Sequence, residues 1–268
     1  MARFMRTLLL LLATGTLWAA PKHLLILGQK PDGHPPGTHE YMPGARIVKA
    51  LLTTRQDLRT TITQADEPWA NGPALIAKAD GIVLFLNEGG RFIQDDPKRA
   101  KAFADFADRG GGVVVYHWGM GARDAKLIEP FLKLFGGCHG GPDRKYTVVK
   151  EAKFRVAAPK HPIMAGIKSF ELPFEEFYYK LKVPKLPKNW TPLVRVPIEG
   201  SMETVGWAWE RPGGGRSFGF SGLHFHVNWR HLQYQRLIAQ AVLWTVKLPV
   251  PKNGLQVKLK DNVLLLNP

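Results

Sequence analysis

The chain has 268 residues, 45% of them hydrophobic and 22% charged, with a single cysteine and a formal net charge of +15. That balance excludes a disordered chain, and the lone Cys138 excludes a disulfide framework, so stability has to come from a buried core. The lysines are scattered and no nucleic-acid motif accompanies them, so the positive charge reads as a solvated surface rather than a nucleic-acid site.

Residues 1–20 read as a signal peptide: Arg3 and Arg6 are followed by an apolar run over 8–13 and the small-residue end Leu17-Trp18-Ala19-Ala20. Cleavage after Ala19 suits better than after Ala20, because Pro21 would directly follow the second cut. The apolar run is too short for a good membrane span, and no nearby cysteine offers a lipid anchor. The mature protein is therefore expected to be exported, periplasmic or secreted, with no stable span left after cleavage. Residues 21–248 are expected to form one domain, with 249–268 as a tail.

The next elements follow in order. An apolar strand over 23–27 ends at Gly28 and leads into a long loop, 29–43, rich in Gly, Pro and His. Helical spacing over 45–52, a β-branched strand over 60–63, a short helix over 74–79 and an apolar strand over 81–86 come next. Asp95-Asp96-Pro97 starts a helix that Gly110 stops. Gly112 to Tyr116 is a buried strand, and small residues beyond it favour a sharp turn that lifts His117 above the sheet, as nucleophile elbows do. A helix over 124–135 closes at Gly136-Gly137. Strands over 146–149, 154–157, 192–196, 204–209 and 217–220 then precede a long helix over 230–246. The alternating first half predicts an α/β fold, a mostly parallel sheet with helices on both faces, and the strand-rich second half predicts an antiparallel extension.

Ligands of open α/β sheets bind beyond the C-terminal strand ends. Four polar clusters occupy such positions: His34 to Tyr41 with His39 and Glu40, Asn87-Glu88-Gly89-Gly90, His117-Trp118, and Gly222 to Trp229 with His224, His226 and Trp229. If these loops converge, His117, His39 and His224 form an acid–base centre or a divalent-metal site, zinc being one candidate, although their wide sequence spacing is not a zinc motif. Backbone N–H groups at Gly89 and Gly90 suit an oxyanion or a sugar hydroxyl, and the alternative is an ordinary turn. Trp118 and Trp229 suit sugar stacking, whereas Trp207 and Trp209 read as core. His226 either shares a face with His224 or points to solvent. Glu176, in the acidic-aromatic stretch 175–179, either borders the cleft or lies on a surface loop. Cys138 reads as a small buried thiol.

These features resemble the ThuA-like family, associated with trehalose utilisation, over about residues 22–247. The resemblance rests on His39, the strand over 79–85, the elbow from Gly112 to His117, Phe135-Gly136-Gly137, the run 161–167, Glu175-Glu176-Phe177-Tyr178, Trp209-Glu210 and the stretch from Gly213 to His224. It implies a flavodoxin-like sheet similar to class I glutamine amidotransferases. Those enzymes place Cys where His117 stands, and Glu in their late Gly-x-x-Phe-His-x-Glu where Asn228 follows Phe225-His226 here, so glutaminase activity is not expected. The implied role is carbohydrate metabolism, on trehalose-like disaccharides or their 3-keto forms, alongside sugar dehydrogenases. His117 and His39 would move protons, His224 would be a second base or metal ligand, and Glu88 or Glu176 would hold a sugar hydroxyl. The chemistry would be that of a lyase, isomerase or hydrolase, and the alternative is a non-catalytic carbohydrate-binding protein.

Overall fold

The computed structural model describes residues 20–185 and 188–266. The expected signal peptide, apart from Ala20, lies outside them. Among the described residues no helix is long and apolar enough to cross a membrane.

Eleven strands form, among the described residues: β1 (Lys22–Gly28), β2 (Leu58–Gln64), β3 (Gly81–Leu84), β4 (Gly112–Tyr116), β5 (Gly121–Ala122), β6 (His139–Gly140), β7 (Lys145–Val156), β8 (Phe170–Tyr179), β9 (Trp190–Ile198), β10 (Ser201–Glu210) and β11 (Arg216–Phe220). Strands β5 and β6 pair with each other, and the other nine form one sheet in the order β2-β1-β3-β4-β11-β10-β9-β7-β8. From β2 to β11 the neighbours are parallel, in the order of a flavodoxin-like doubly wound sheet. From β11 to β8 they are antiparallel, the extension expected from the sequence.

The alternation of side chains along a strand sorts the core into two layers. Leu24 and Ile26 of β1 face α1 (Tyr41–Leu51) and, with Val114 of β4, the last helix, while Leu25, Leu27 and Val115 face the other helices. That second layer is built from α2 (Gly72–Ala77), α3 (Gly89–Gln94), α4 (Pro97–Asp108) and α5 (Ile128–Phe135), whose Phe103, Phe106, Phe131 and Phe135 are buried. Each such ring, buried in full, stabilises the fold by roughly 1.5–3 kcal/mol. Helix α6 (Leu232–Thr245) buries Leu237, Ile238, Ala241 and Val242 across the parallel strands.

Local chemistry sets the element ends. The Asp96 side chain accepts from the backbone N–H groups of Lys98 and Arg99, and Pro97 opens α4. Gly136 closes α5 at φ 72°, a left-handed conformation that favours glycine.

Several elements differ from expectation. Strand β7 is one long edge-proximal strand rather than two short ones, with Glu151 at φ 49° interrupting its alternation. Residues 175–179, open between cleft and surface loop in the sequence, lie in β8. Helix α3 was not expected, and the helix expected from 124 begins with a 3₁₀ turn, Ala125–Leu127, before α5. The C-terminal segment lies against the domain: Leu255 N–H donates to Gln240 Oε1 at 2.6 Å, and Arg46 Nη2 donates to the Leu266 carbonyl at 2.6 Å.

Candidate functional site

The parallel strands β1, β3, β4 and β11 end at one edge of the sheet, and the loops that leave them turn on residues with positive φ. His39 (51°), Glu88 (43°), His117 (44°) and Leu223 (76°) all occupy the left-handed region, where a side chain other than glycine costs energy. For His117 this is the elbow expected after β4; the residue opens a 3₁₀ turn, His117–Met120. Gly89 permits the close approach that supports this turn, since a Cβ there would stand 1.9 Å from the Gly119 carbonyl oxygen.

The first and last loops are fastened together. His39 N–H donates to the His224 carbonyl at 3.1 Å, and His226 N–H donates to the Gly37 carbonyl at 2.8 Å. This brings three imidazoles to one point. His117 Nε2 lies 2.9 Å from His39 Nε2 and 3.1 Å from His224 Nδ1, and Tyr178 places its hydroxyl 3.0 Å from the same nitrogen. Glu176 Oε1 stands 3.5 Å from His224 Nδ1 and 3.7 Å from His117 Nε2.

Strand alternation explains the two glutamates of β8, which point to opposite faces. Glu176 and Tyr178 face the cleft. Glu175 is buried among the backbone N–H groups of Glu176 (2.8 Å), Leu223 (3.2 Å) and His224 (3.2 Å), the Asn228 side-chain amide (3.0 Å) and the Tyr234 hydroxyl (2.7 Å), all donating to its carboxyl. Burial raises the Glu175 pKa even against these bonds. Asn228, in the turn His226–Arg230, therefore donates to the carboxyl group of Glu175 on β8.

Partners on the far side of each ring set the tautomers. His117 Nδ1 is 2.9 Å from the Ser221 carbonyl, which only accepts, so Nδ1 carries a proton. His39 Nδ1 donates to Asp32 Oδ2 at 2.8 Å; Tyr41 donates to the same oxygen at 2.7 Å, and His34 Nδ1 is 2.7 Å from Oδ1. Burial works to raise the Asp32 pKa, but the hydrogen bonds from His39, Tyr41 and His34 outweigh it and hold the carboxyl below the usual range. Burial, then the neighbouring His39 and His224, pushes His117 well below an ordinary imidazole pKa. Burial, then His39 and His34, pushes His224 down to about 3. Burial and then Glu175 push Glu176 up to about 7.

A cleft of about 340 Å³ opens over this cluster, walled by His34, Trp118, His139, Tyr146, Glu176 and Tyr178, with Arg123 and Arg144 also on it. His139 stacks on Tyr178 at 3.9 Å, and the Arg123 guanidinium lies 4.8 Å above the Trp118 ring.

A sequence profile of the ThuA family, described as trehalose utilisation, matches residues 33–245. The chain belongs to the ThuA family. Two solved ThuA-like proteins superimpose on it. One, from Bacteroides uniformis, has 15% identity and a TM-score of 0.62, covering 87% of this chain and 94% of its own. Another, from Parabacteroides merdae, has 14% identity and a TM-score of 0.64, covering 90% and 98%. A glutaminase domain of Trypanosoma brucei CTPS has 10% identity and a TM-score of 0.49, covering 89% and 100%. No curated protein sequence matches the chain.

Of the residues expected in the ThuA site, the fold brings together His39, His117, His224, Glu176 and Trp118. It places the others elsewhere. Trp229 is buried in the core at 1% exposure and is not a ligand contact. His226 neither joins His224 in the cleft nor points to solvent: it is buried, with its Nε2 3.0 Å from the Leu264 carbonyl. Glu40 accepts from Gly37 N–H at 2.7 Å and steadies its own loop. Glu88 accepts from Arg123 N–H at 2.8 Å and lines a neighbouring pocket, not the histidine cleft. Gly89 and Gly90 open α3 and pack closely against residues 119–122. Cys138 is buried, and burial pushes its thiol up to about 12. Sequence reasoning missed Asp32 and His139, and gave His34, Glu175 and Tyr178 only as parts of longer stretches, with no role of their own. Tyr178 stood two residues from Glu176, and period-2 alternation on a recognised β8 would have found it.

Proposed function

We propose that this ThuA protein performs acid–base chemistry on a carbohydrate at the cleft, with His39, His117 and His224 holding a divalent cation. The single observation that carries the reading is the 2.9 Å approach of His117 Nε2 to His39 Nε2 while both Nδ1 atoms are committed as donors. Two lone pairs at that distance repel unless a proton or a cation lies between them. One proton can serve one pair, whereas three ring nitrogens and Glu176 converge within 4.8 Å. Tetrahedral zinc with bonds near 2.0–2.1 Å sets its nitrogen ligands about 3.3 Å apart, close to the separations seen here. The outer partners, Asp32 behind His39 and the Ser221 carbonyl behind His117, are of the kind that orient metal-bound imidazoles.

A divalent ion held there would polarise a carbonyl or hydroxyl oxygen of the sugar. Glu176, facing the cleft beside the histidines, takes the proton from a sugar carbon or hydroxyl and returns it. Tyr178 donates a hydrogen bond beside it, and Trp118 and Tyr146 offer aromatic faces to a sugar ring. The substrate class follows from the family description: trehalose-like disaccharides, with 3-keto glycosides the chemically apt members, because a ketone acidifies the neighbouring C–H. Lyase, isomerase and hydrolase outcomes share this first proton transfer. Export belongs to the same proposal and rests on residues 1–20.

The test is NMR of the purified protein with 3-ketotrehalose, with and without chelator. Product signals that chelator abolishes are expected. Unchanged substrate with saturable line broadening would instead favour a carbohydrate-binding protein.

A further inference from the structure

A second pocket, of about 210 Å³, lies beside the histidine cleft, with Arg123 on both. It is lined by Gln29 beyond β1, Glu67 beyond β2 and Asn87 beyond β3, so it sits at the switch point of the parallel sheet, where strand order reverses. Its floor is Arg99, a guanidinium buried at 1% exposure and stacked 4.2 Å above the Phe92 ring.

Arg99 is underused. Its Nη2 lies 2.6 Å from Glu67 Oε1 without the alignment of a hydrogen bond, and its Nε and Nη1 have no partner among the described residues. Asn87 Oδ1 is likewise buried without a partner. Buried polar atoms are normally satisfied, and leaving one without a partner costs stability. The pocket thus presents unused donors and an unused acceptor side by side.

Charge decides what they receive. Arg123 is paired with Glu88, Arg91 with Asp95 at 3.1 Å, and Asp96 caps α4. Three arginines therefore stand against four carboxylates, a balance that disfavours an anion. A neutral polyhydroxy compound matches it, because each hydroxyl accepts from Arg99 and donates to Asn87 or a carboxylate.

We infer that this switch-point pocket is a binding site for a neutral sugar ring, held by Arg99 and Asn87. The site stands on its own contacts and does not depend on the chemistry at the histidine cluster.

The experiment is calorimetric titration of the whole protein with glucose, trehalose and inorganic phosphate, in wild type, Asn87→Ala and Arg99→Met. Because Asn87 Oδ1 makes no internal bond, Asn87→Ala removes no hydrogen bond from the free protein and Tm should hold, whereas Arg99→Met also gives up the Glu67 ion pair and the stacking on Phe92 and should lower Tm. Glucose affinity should fall roughly tenfold or more in each variant, the loss of one buried hydrogen bond to ligand. Should Arg99→Met fail to fold, Asn87→Ala decides alone. A trehalose affinity above that of glucose, removed by Asn87→Ala, would assign the pocket to one ring of a longer sugar; equal affinities would assign it to a free monosaccharide. Phosphate binding in preference to glucose, no binding of either sugar, or glucose affinity unchanged in Asn87→Ala would overturn the inference.

Discussion

His117 Nε2 lies 2.9 Å from His39 Nε2 although a carbonyl and a carboxylate hold the opposite ring nitrogens of both as donors. The two residues are separated by 78 positions in sequence and meet only because β1 and β4 end at the same edge of the sheet. Neither ring can turn away without abandoning its outer partner. A proton or a cation between them would relieve the repulsion of the two facing lone pairs.

The outer partner of His39 is open to direct test. Asp32→Asn keeps the shape but removes the charge that fixes the His39 tautomer. Loss of such a partner typically lowers metal affinity by roughly 10–100-fold. Competition against a fluorescent zinc chelator would read it, and wild-type affinity in the variant would remove Asp32 from the account.

Glu176 is the proposed proton carrier. Glu176→Gln should lower turnover of the oxidised sugar by roughly 10²–10⁴-fold, with substrate affinity little changed. Steady-state kinetics separate the two; a change confined to KM would make Glu176 a binding group.

How far these groups could be read from sequence depended on whether the signal was local. The strands β1, β3, β4 and β11 are apolar runs, mostly glycine-bounded, and were legible, as was His117 at the elbow. Strand β8 was not, because Glu171, Glu175 and Glu176 make it resemble a surface segment; Glu175 is buried only because Leu223, His224, Asn228 and Tyr234 come from elsewhere to bond it. Trp229 and His226 adjoin His224 in sequence, but the turn His226–Arg230 sends one into the core and the other to Leu264. Asp32 carried no signal, since its importance comes from three side chains folding onto it.

Acid should loosen the cleft wall through His139. Burial, and then Arg144, pushes its pKa down from 6.5 to about 3. Between those values the unfolded chain binds a proton that the folded chain refuses. The stabilising contribution is therefore complete above about pH 6.5 and is lost as pH falls toward 3. His139→Phe keeps a ring against Tyr178 and should show a smaller loss of unfolding free energy between pH 6.5 and 4 than wild type. Parallel curves would contradict the assignment.

Two substitutions distinguish support from chemistry. Gly89→Ala drives a Cβ into the Gly119 carbonyl and should destabilise the elbow by about 1–3 kcal/mol, visible as a lower Tm. Cys138→Ser alters a buried thiol outside the cluster and should leave turnover unchanged; a large loss would contradict its reading as a buried structural thiol.

The most direct measurement is zinc titration by calorimetry of chelator-stripped wild-type protein beside His117→Ala. About one tight site per chain is expected in wild type and none in the variant. Equal binding by both proteins, or no binding by wild type, would contradict it.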